Sequence, residues 1–184
     1  MIAVSNAGPL IALGKLGWLA LLPQLYGPVW LPTAVYNEVV IQGETRSAPD
    51  AFLVAETIRQ GSLVVVEVSA AELSPDIADL PLDAGEKQVL HLAIRHQAHL
   101  VLLDDQKARE TAQAYDLPVK GTLGVLVQAY RAALLQLDDI RHIIGTIMAR
   151  DDIWIAAELC RQVLSSLEAG ETAGHDASHH TGGS

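Results

Sequence analysis

The feature that most constrains this chain is an alternation in which short β-rich runs are separated by segments of helical periodicity. The runs fall at 2–4, 29–31, 63–66 and 100–103, with a brief fifth at 117–119. Between them, 9–25, 33–42, 50–60, 84–97, 106–115 and 123–134 read as helices, with Pro9 opening the first. A strand that is followed by a helix and then a strand pairs in parallel, because the crossover carries the chain back to the same end of the sheet. The expectation is an α/β fold: a parallel sheet of four to five strands flanked by helices, with extra helices at the C-terminus. Those extra helices follow residue 136, with Ile140, Ile143, Ile144 and Ile147 on one stripe and Ile155, Leu159, Val163 and Leu167 on another.

No repeat or linker divides residues 1–168, which read as a single domain. Residues 169–184 contain no apolar side chain larger than alanine and read as a disordered tail. The single cysteine, Cys160, has no partner for an internal disulfide and reads as a core thiol. No apolar run approaches the roughly 18 residues of a membrane span, and the N-terminal segment lacks the basic start of a signal peptide. The expected location is the cytoplasm, with no membrane partner. The net charge of −10 excludes a protein held on nucleic acid by a broad basic face, but it permits an acidic metal site.

In sheets of this kind the chemistry sits in the crevice beyond the carboxyl ends of the strands. That rule selects Ser5 and Asn6 after the first strand, Asp104 and Asp105 after the fourth, and Gly121 and Thr122 after the fifth. Helical phase adds two carboxylates. Glu86 shares a face with Val89, Leu90, Ala93 and Ile94, and Glu38 lies on or beside the apolar face of its helix.

Each residue also has a plain structural reading. Asp83 and Glu86 fit a capping box, while Asp104 and Thr122 fit helix caps. Caps do not require four carboxylates in one crevice, however. Clustered carboxylates repel unless a cation joins them, and an all-oxygen set favours Mg²⁺ or Mn²⁺. Other chemistries find no support. His91, His96 and His99 lack the spacing of a zinc pair, GTLG lacks the end of a phosphate loop, and Ser5 lacks a nucleophile elbow. A receiver-type phosphotransfer domain would place its acidic pair after the first strand, where this chain has Ser5 and Asn6.

The segments VSNAGPLI, LPTAVYNEVV, LDAGEKQVLHLA, LVLLDDQKARETA and LPVKGTLGVL, in that order, resemble a PIN-domain protein. More narrowly they resemble the VapC-like toxin branch with a C-terminal GTLGVL helical segment, over roughly residues 1–168. The resemblance implies a metal-dependent ribonuclease, the toxin component of a type II toxin-antitoxin system, using Mg²⁺ or Mn²⁺. The implied catalytic residues are Glu38, Glu86 and Asp105, and the implied metal ligands are Asn6, Glu38, Glu86, Asp104 and Asp105. Asp105 is the better match to the family's fourth acidic position, and Asp104 assists it. Ser5, Thr122 and Lys107 fall beside the metal or the substrate.

The chain departs from the family at Asn6, where aspartate is usual; an amide oxygen can ligate a hard cation but brings no charge. The implied partners are single-stranded or looped RNA, a small antitoxin protein, and a second copy in a homodimer. Lys87, Lys107, Arg109 and Lys120 are candidate phosphate contacts. The stretch around Trp18, Leu19 and Leu22 is a candidate protein interface, with core burial as the competing expectation. A second reading, from another class, keeps the fold and makes it a catalytically weakened protein-interaction module.

Overall fold

The computed structural model describes residues 1–178, with side chains as far as residue 170. It divides into two units, Met1–Val125 and Leu126–Ser184. The first unit is built on five strands, β1 (Ala3–Ser5), β2 (Val29–Pro32), β3 (Leu63–Val66), β4 (Leu100–Leu102) and β5 (Val119–Lys120). All the pairings are parallel, in the order β3-β2-β1-β4-β5. The chain builds outward from β1 to one edge, then crosses to β4 and builds the other way. The reversal lies between β1 and β4, the point at which such sheets open a crevice.

Burial follows this order. The side chains of β1 and β4 are buried throughout, which explains why these runs are apolar without alternation. Val64 and Val65 on the edge strand β3 are exposed. Backbone pairing runs past the strand ends, with the amide of Asn6 donating to Leu102 O at 3.0 Å and that of Leu103 to Lys120 O at 2.9 Å. The polar residues that follow each strand are thereby held at one edge.

The helix expected over 9–25 is two helices, α1 (Ala7–Leu16) and α2 (Leu21–Tyr26). Asn6 rather than Pro9 starts the first, since its extended backbone makes it the N-cap. Gly17 ends it in the left-handed region at φ 77°, with its amide donating to Gly14 O, while the amide of Trp18 donates to Leu13 O. Leu19 and Leu22 are fully buried. Of the two readings for the stretch around Trp18, core burial holds for these two leucines.

The helix expected over 33–42 runs on to residue 45 and is not uniform. It consists of α3 (Thr33–Tyr36), a π turn (Asn37–Ile41) and α4 (Gln42–Thr45), followed by α5 (Pro49–Arg59). Gln88 anchors its start, accepting from the Ala34 amide at 2.8 Å and donating to Val68 O at 2.9 Å. A 3₁₀ turn (Ala70–Glu72) and α6 (Pro75–Ala78) lead into α7 (Ala84–Arg95), and α8 (Gln106–Ala114) and α9 (Thr122–Arg131) follow β4 and β5.

In the second unit, α10 (Leu137–Ala149) buries Leu137, Ile140, Ile143, Ile144 and Ile147, the expected stripe. On α11 (Ala157–Ser178) the buried residues are Cys160 and Leu167, while Leu159 is exposed. This corrects the expected stripe: the helix begins only at Ala157, so Ile155 precedes it, and the inward face is set by Cys160. Arg141 Nε on α10 pairs with Glu168 Oε1 on α11 at 2.8 Å. The tail expected over 169–184 falls on the last residues of α11 and on 179–184, and the latter lie outside the described residues. Among the described residues no helix is long and apolar enough to cross a membrane.

Candidate metal centre

Asn6 stands where β1 meets α1 at the crevice. Its residue surface is 8% exposed, and its Oδ1 is buried without a hydrogen-bond donor. The side chain does not cap α1, although its position is that of the cap. A buried acceptor with no donor costs about 1–3 kcal/mol, so the oxygen is held in wait for something that the protein itself does not supply. Ser5 is fully buried beside it, with its hydroxyl donating to Asn6 O at 2.9 Å.

Glu86 lies in the first turn of α7 and is 7% exposed. The expected capping box is present: the Glu86 amide donates to Asp83 Oδ1 at 2.7 Å, and the Asp83 amide donates to Glu86 Oε2 at 3.1 Å. Burial raises the Glu86 pKa, the Asp83 amide opposes that rise, and the charges of Asp83, Asp105 and Glu38 add to it. Glu38 sits in the π turn with its residue surface exposed, beside rather than on the apolar face that Val35, Val39 and Val40 bury. Desolvation nonetheless raises its pKa, the charge of Asp83 adds to the rise, and Arg46 opposes it. The electrostatic coupling thus joins Glu38, Asp83, Glu86 and Asp105 into one acidic neighbourhood.

The two aspartates after β4 divide their work. Asp105 is exposed and caps α8, accepting from the Ala108 amide at 2.9 Å. Asp104 was the expected cap, and the structure corrects this by turning it inward. Its Oδ1 accepts from the Thr122 amide and its Oδ2 from the Thr122 hydroxyl, both at 2.6 Å. Burial raises the Asp104 pKa, with the two Thr122 bonds and the charge of Arg109 opposing. Thr122 is fully buried and lies within α9. Asp83, legible in the sequence only as a cap, also acts by its charge on both Glu38 and Glu86.

Basic residues near the crevice are mostly engaged. Lys87 Nζ donates to Ala78 O at 2.7 Å, and Lys120 lies 5.9 Å from the centre of the Tyr26 ring. Arg109 reaches toward Asp104 and Gly121. Lys107 is exposed in the first turn of α8. Among the described residues no three His, Cys, Asp or Glu side chains form a group able to hold a metal ion by themselves. The orphaned Asn6 oxygen lies outside that residue set. Together with Glu86, which burial and the charges of Asp83, Asp105 and Glu38 raise, it fits a hard divalent cation, which would satisfy the oxygen and relieve the repulsion.

A parallel α/β sheet whose order reverses between β1 and β4, with Asn6, Asp104 and Asp105 following those two strands, belongs to the class of folds that open a crevice at the strand ends. The PIN-domain family model matches residues 2–169, and the chain belongs to that family. PIN domains are generally nucleases that use divalent metals. Comparison with curated proteins finds no match.

Proposed function

We propose that the chain is a Mg²⁺- or Mn²⁺-dependent endoribonuclease and the toxin member of a toxin-antitoxin pair. The observation that carries the metal-dependent reading is the donorless Asn6 oxygen against Gly85, next to Glu86, whose pKa is raised by burial and further by the charges of Asp83, Asp105 and Glu38. Asn6, Glu38, Glu86 and Asp105 would hold the ion. When bound, such an ion supplies an activated water and stabilises charge on the phosphoryl oxygens.

The chain's own residues position that chemistry. Asp104, with both oxygens bonded to Thr122, ties the end of β4 to the start of α9 and so fixes where Asp105 projects. Ser5, bonded to Asn6 O, steadies the end of β1. Lys107, exposed two residues beyond Asp105, would be the nearest lysine in sequence to meet a phosphate. Single-stranded or looped RNA suits an in-line attack, which needs a splayed backbone. The net charge of −10 gives weak non-specific affinity, so recognition is local. The VapC-like assignment, a small antitoxin partner and a homodimer rest on the sequence resemblance.

The test is cleavage of single-stranded RNA by pure protein with Mn²⁺, and its loss in Asp105→Asn and Glu38→Gln. Equal residual activity in the wild type and both variants sinks the enzyme reading. It would favour the second reading, a weakened interaction module, to which the amide at position 6 already points.

A further inference from the structure

The helix cap does not account for the charge of Asp83. Its Oδ1 accepts from the Glu86 amide, and Asn or Ser would make that bond about as well. The capping bond also occupies only one of roughly four lone-pair sites on a carboxylate. The surroundings of Gly85 supply a use for the rest. A Cβ placed on Gly85 would meet Asn6 Oδ1 at 3.1 Å, Asp83 Oδ1 at 3.3 Å and Val35 Cγ2 at 3.4 Å, so two oxygens and one methyl group face the spot that glycine leaves free. One of the pair is sealed from water and has no donor. The other is a carboxylate whose charge both Glu38 and Glu86 feel. A fourth negative charge in such a place is unfavourable for folding alone and favourable once a cation is present.

We propose that Asp83 is a cation-holding residue of this centre, supplying through its carboxylate the negative charge that the amide of Asn6 does not bring. The proposal rests on the metal-dependent reading above and adds a residue to it. Asn6 offers a dipole from the β1 side of the gap and Asp83 a charge from the α7 side. The capping bond to Glu86 holds Asp83 and Glu86 in register with each other.

The test is Mn²⁺ binding to the full chain by calorimetry, with the melting temperature of the metal-free protein as the control for folding. Asp83→Asn and Asp83→Ser both keep a capping oxygen, so they leave the metal-free melting temperature within about 2 °C. Each raises the Mn²⁺ dissociation constant about tenfold or more, since ligand charge sets affinity at such sites. Adding Asn6→Asp to Asp83→Asn brings the constant back to within about threefold of wild type, because one carboxylate again lines the gap.

Two results overturn the proposal while leaving the metal-dependent reading intact. One is wild-type Mn²⁺ affinity in both Asp83 variants alongside weakened binding in Glu86→Gln. The other is a loss in Asp83→Asn that Asn6→Asp does not restore. If the wild type shows neither Mn²⁺ binding nor a Mn²⁺-dependent rise in melting temperature, the metal-dependent reading itself fails.

Discussion

Asp104 and Thr122 hold each other through two bonds of 2.6 Å, one from the backbone amide and one from the hydroxyl of the threonine. Both bonds end on a carboxylate, which makes them stronger than bonds between neutral groups. They join the end of β4 to the first turn of α9, eighteen residues further along the chain. Removing the hydroxyl alone in Thr122→Val is expected to cost about 1–3 kcal/mol, and Asp104→Ala about 2–4 kcal/mol because two donors lose their acceptor. Urea denaturation measures both. A Thr122→Val variant as stable as wild type would show that the hydroxyl bond contributes nothing.

Gly121 makes room for that pair. A Cβ there would stand 2.7 Å from Asp104 Oδ1, 2.8 Å from an Arg109 nitrogen and 3.2 Å from Leu103 O. The arginine can swing away, but Asp104 is pinned and Leu103 O is backbone. Gly121→Ala is therefore expected to destabilise by about 1–3 kcal/mol, the usual range for overpacking. A double-mutant cycle in which Gly121→Ala costs less in an Asp104→Ser background than in wild type would identify the clash as the cause.

Acid should stabilise the metal-free protein over a limited window. Burial raises Asp104 above its ordinary 3.8 and Glu38 and Glu86 above their ordinary 4.5. Between the ordinary and the raised values the folded state binds more protons than the unfolded state. Stability therefore falls as pH rises through that interval, and the full penalty is present above it. Melting curves in chelator should place the melting temperature higher near about pH 5 than near about pH 7, and saturating Mn²⁺ should reduce the difference. A temperature that climbs from pH 5 to 7 in chelator contradicts the assignment.

Asp105 carries a cap and, in the proposed function, a metal contact; one substitution separates them. Asn caps a helix about as well as Asp, so Asp105→Asn should keep stability within about 0.5 kcal/mol of wild type. Activity toward RNA should nonetheless fall at least about a hundredfold, the scale of losing a charged group that stabilises a transition state. An active Asp105→Asn enzyme would remove Asp105 from the chemistry.

Gln88 offers a test of how the crevice is braced. Its amide bridges the Ala34 amide and Val68 O, and Gln88→Met keeps the shape while leaving both backbone groups unpaired. About 2–4 kcal/mol should be lost. Amide hydrogen exchange at Ala34 should rise in parallel, and unchanged exchange there would mean that another group takes over.

The sheet was legible because its strands are local: Ala3, Val4 and Leu100 to Leu102 announce burial on both faces by composition alone. The Asp83–Glu86 box was also legible, its partners standing three positions apart. What escaped depended on the register between distant segments. The sequence places Asp104 and Asp105 side by side and cannot say which turns inward. That choice is made by Thr122, which becomes a neighbour only when β5 pairs with β4. Gln88 gives no periodic signal of its bridge for the same reason, and Asp83 looks like an ordinary cap until Asn6 arrives from the other end of the chain.

The π turn makes residue count part of the design. Thr33 and Ala34 are tied to Val66, Val68 and Gln88 at one end, and at the other Gly43 lies so close to Ala51 that a Cβ would stand 2.6 Å from it. Between these fixed points the wide turn accommodates one more residue than a regular helix of equal length. A relative lacking a single codon between Asn37 and Ile41 could keep both anchorages with an unbroken α-helix, while the side chain serving as Glu38 would swing by about 100°. In this segment the direction of the Glu38 side chain is written in the length of the chain, and an in-frame deletion of three nucleotides would be enough to redirect it.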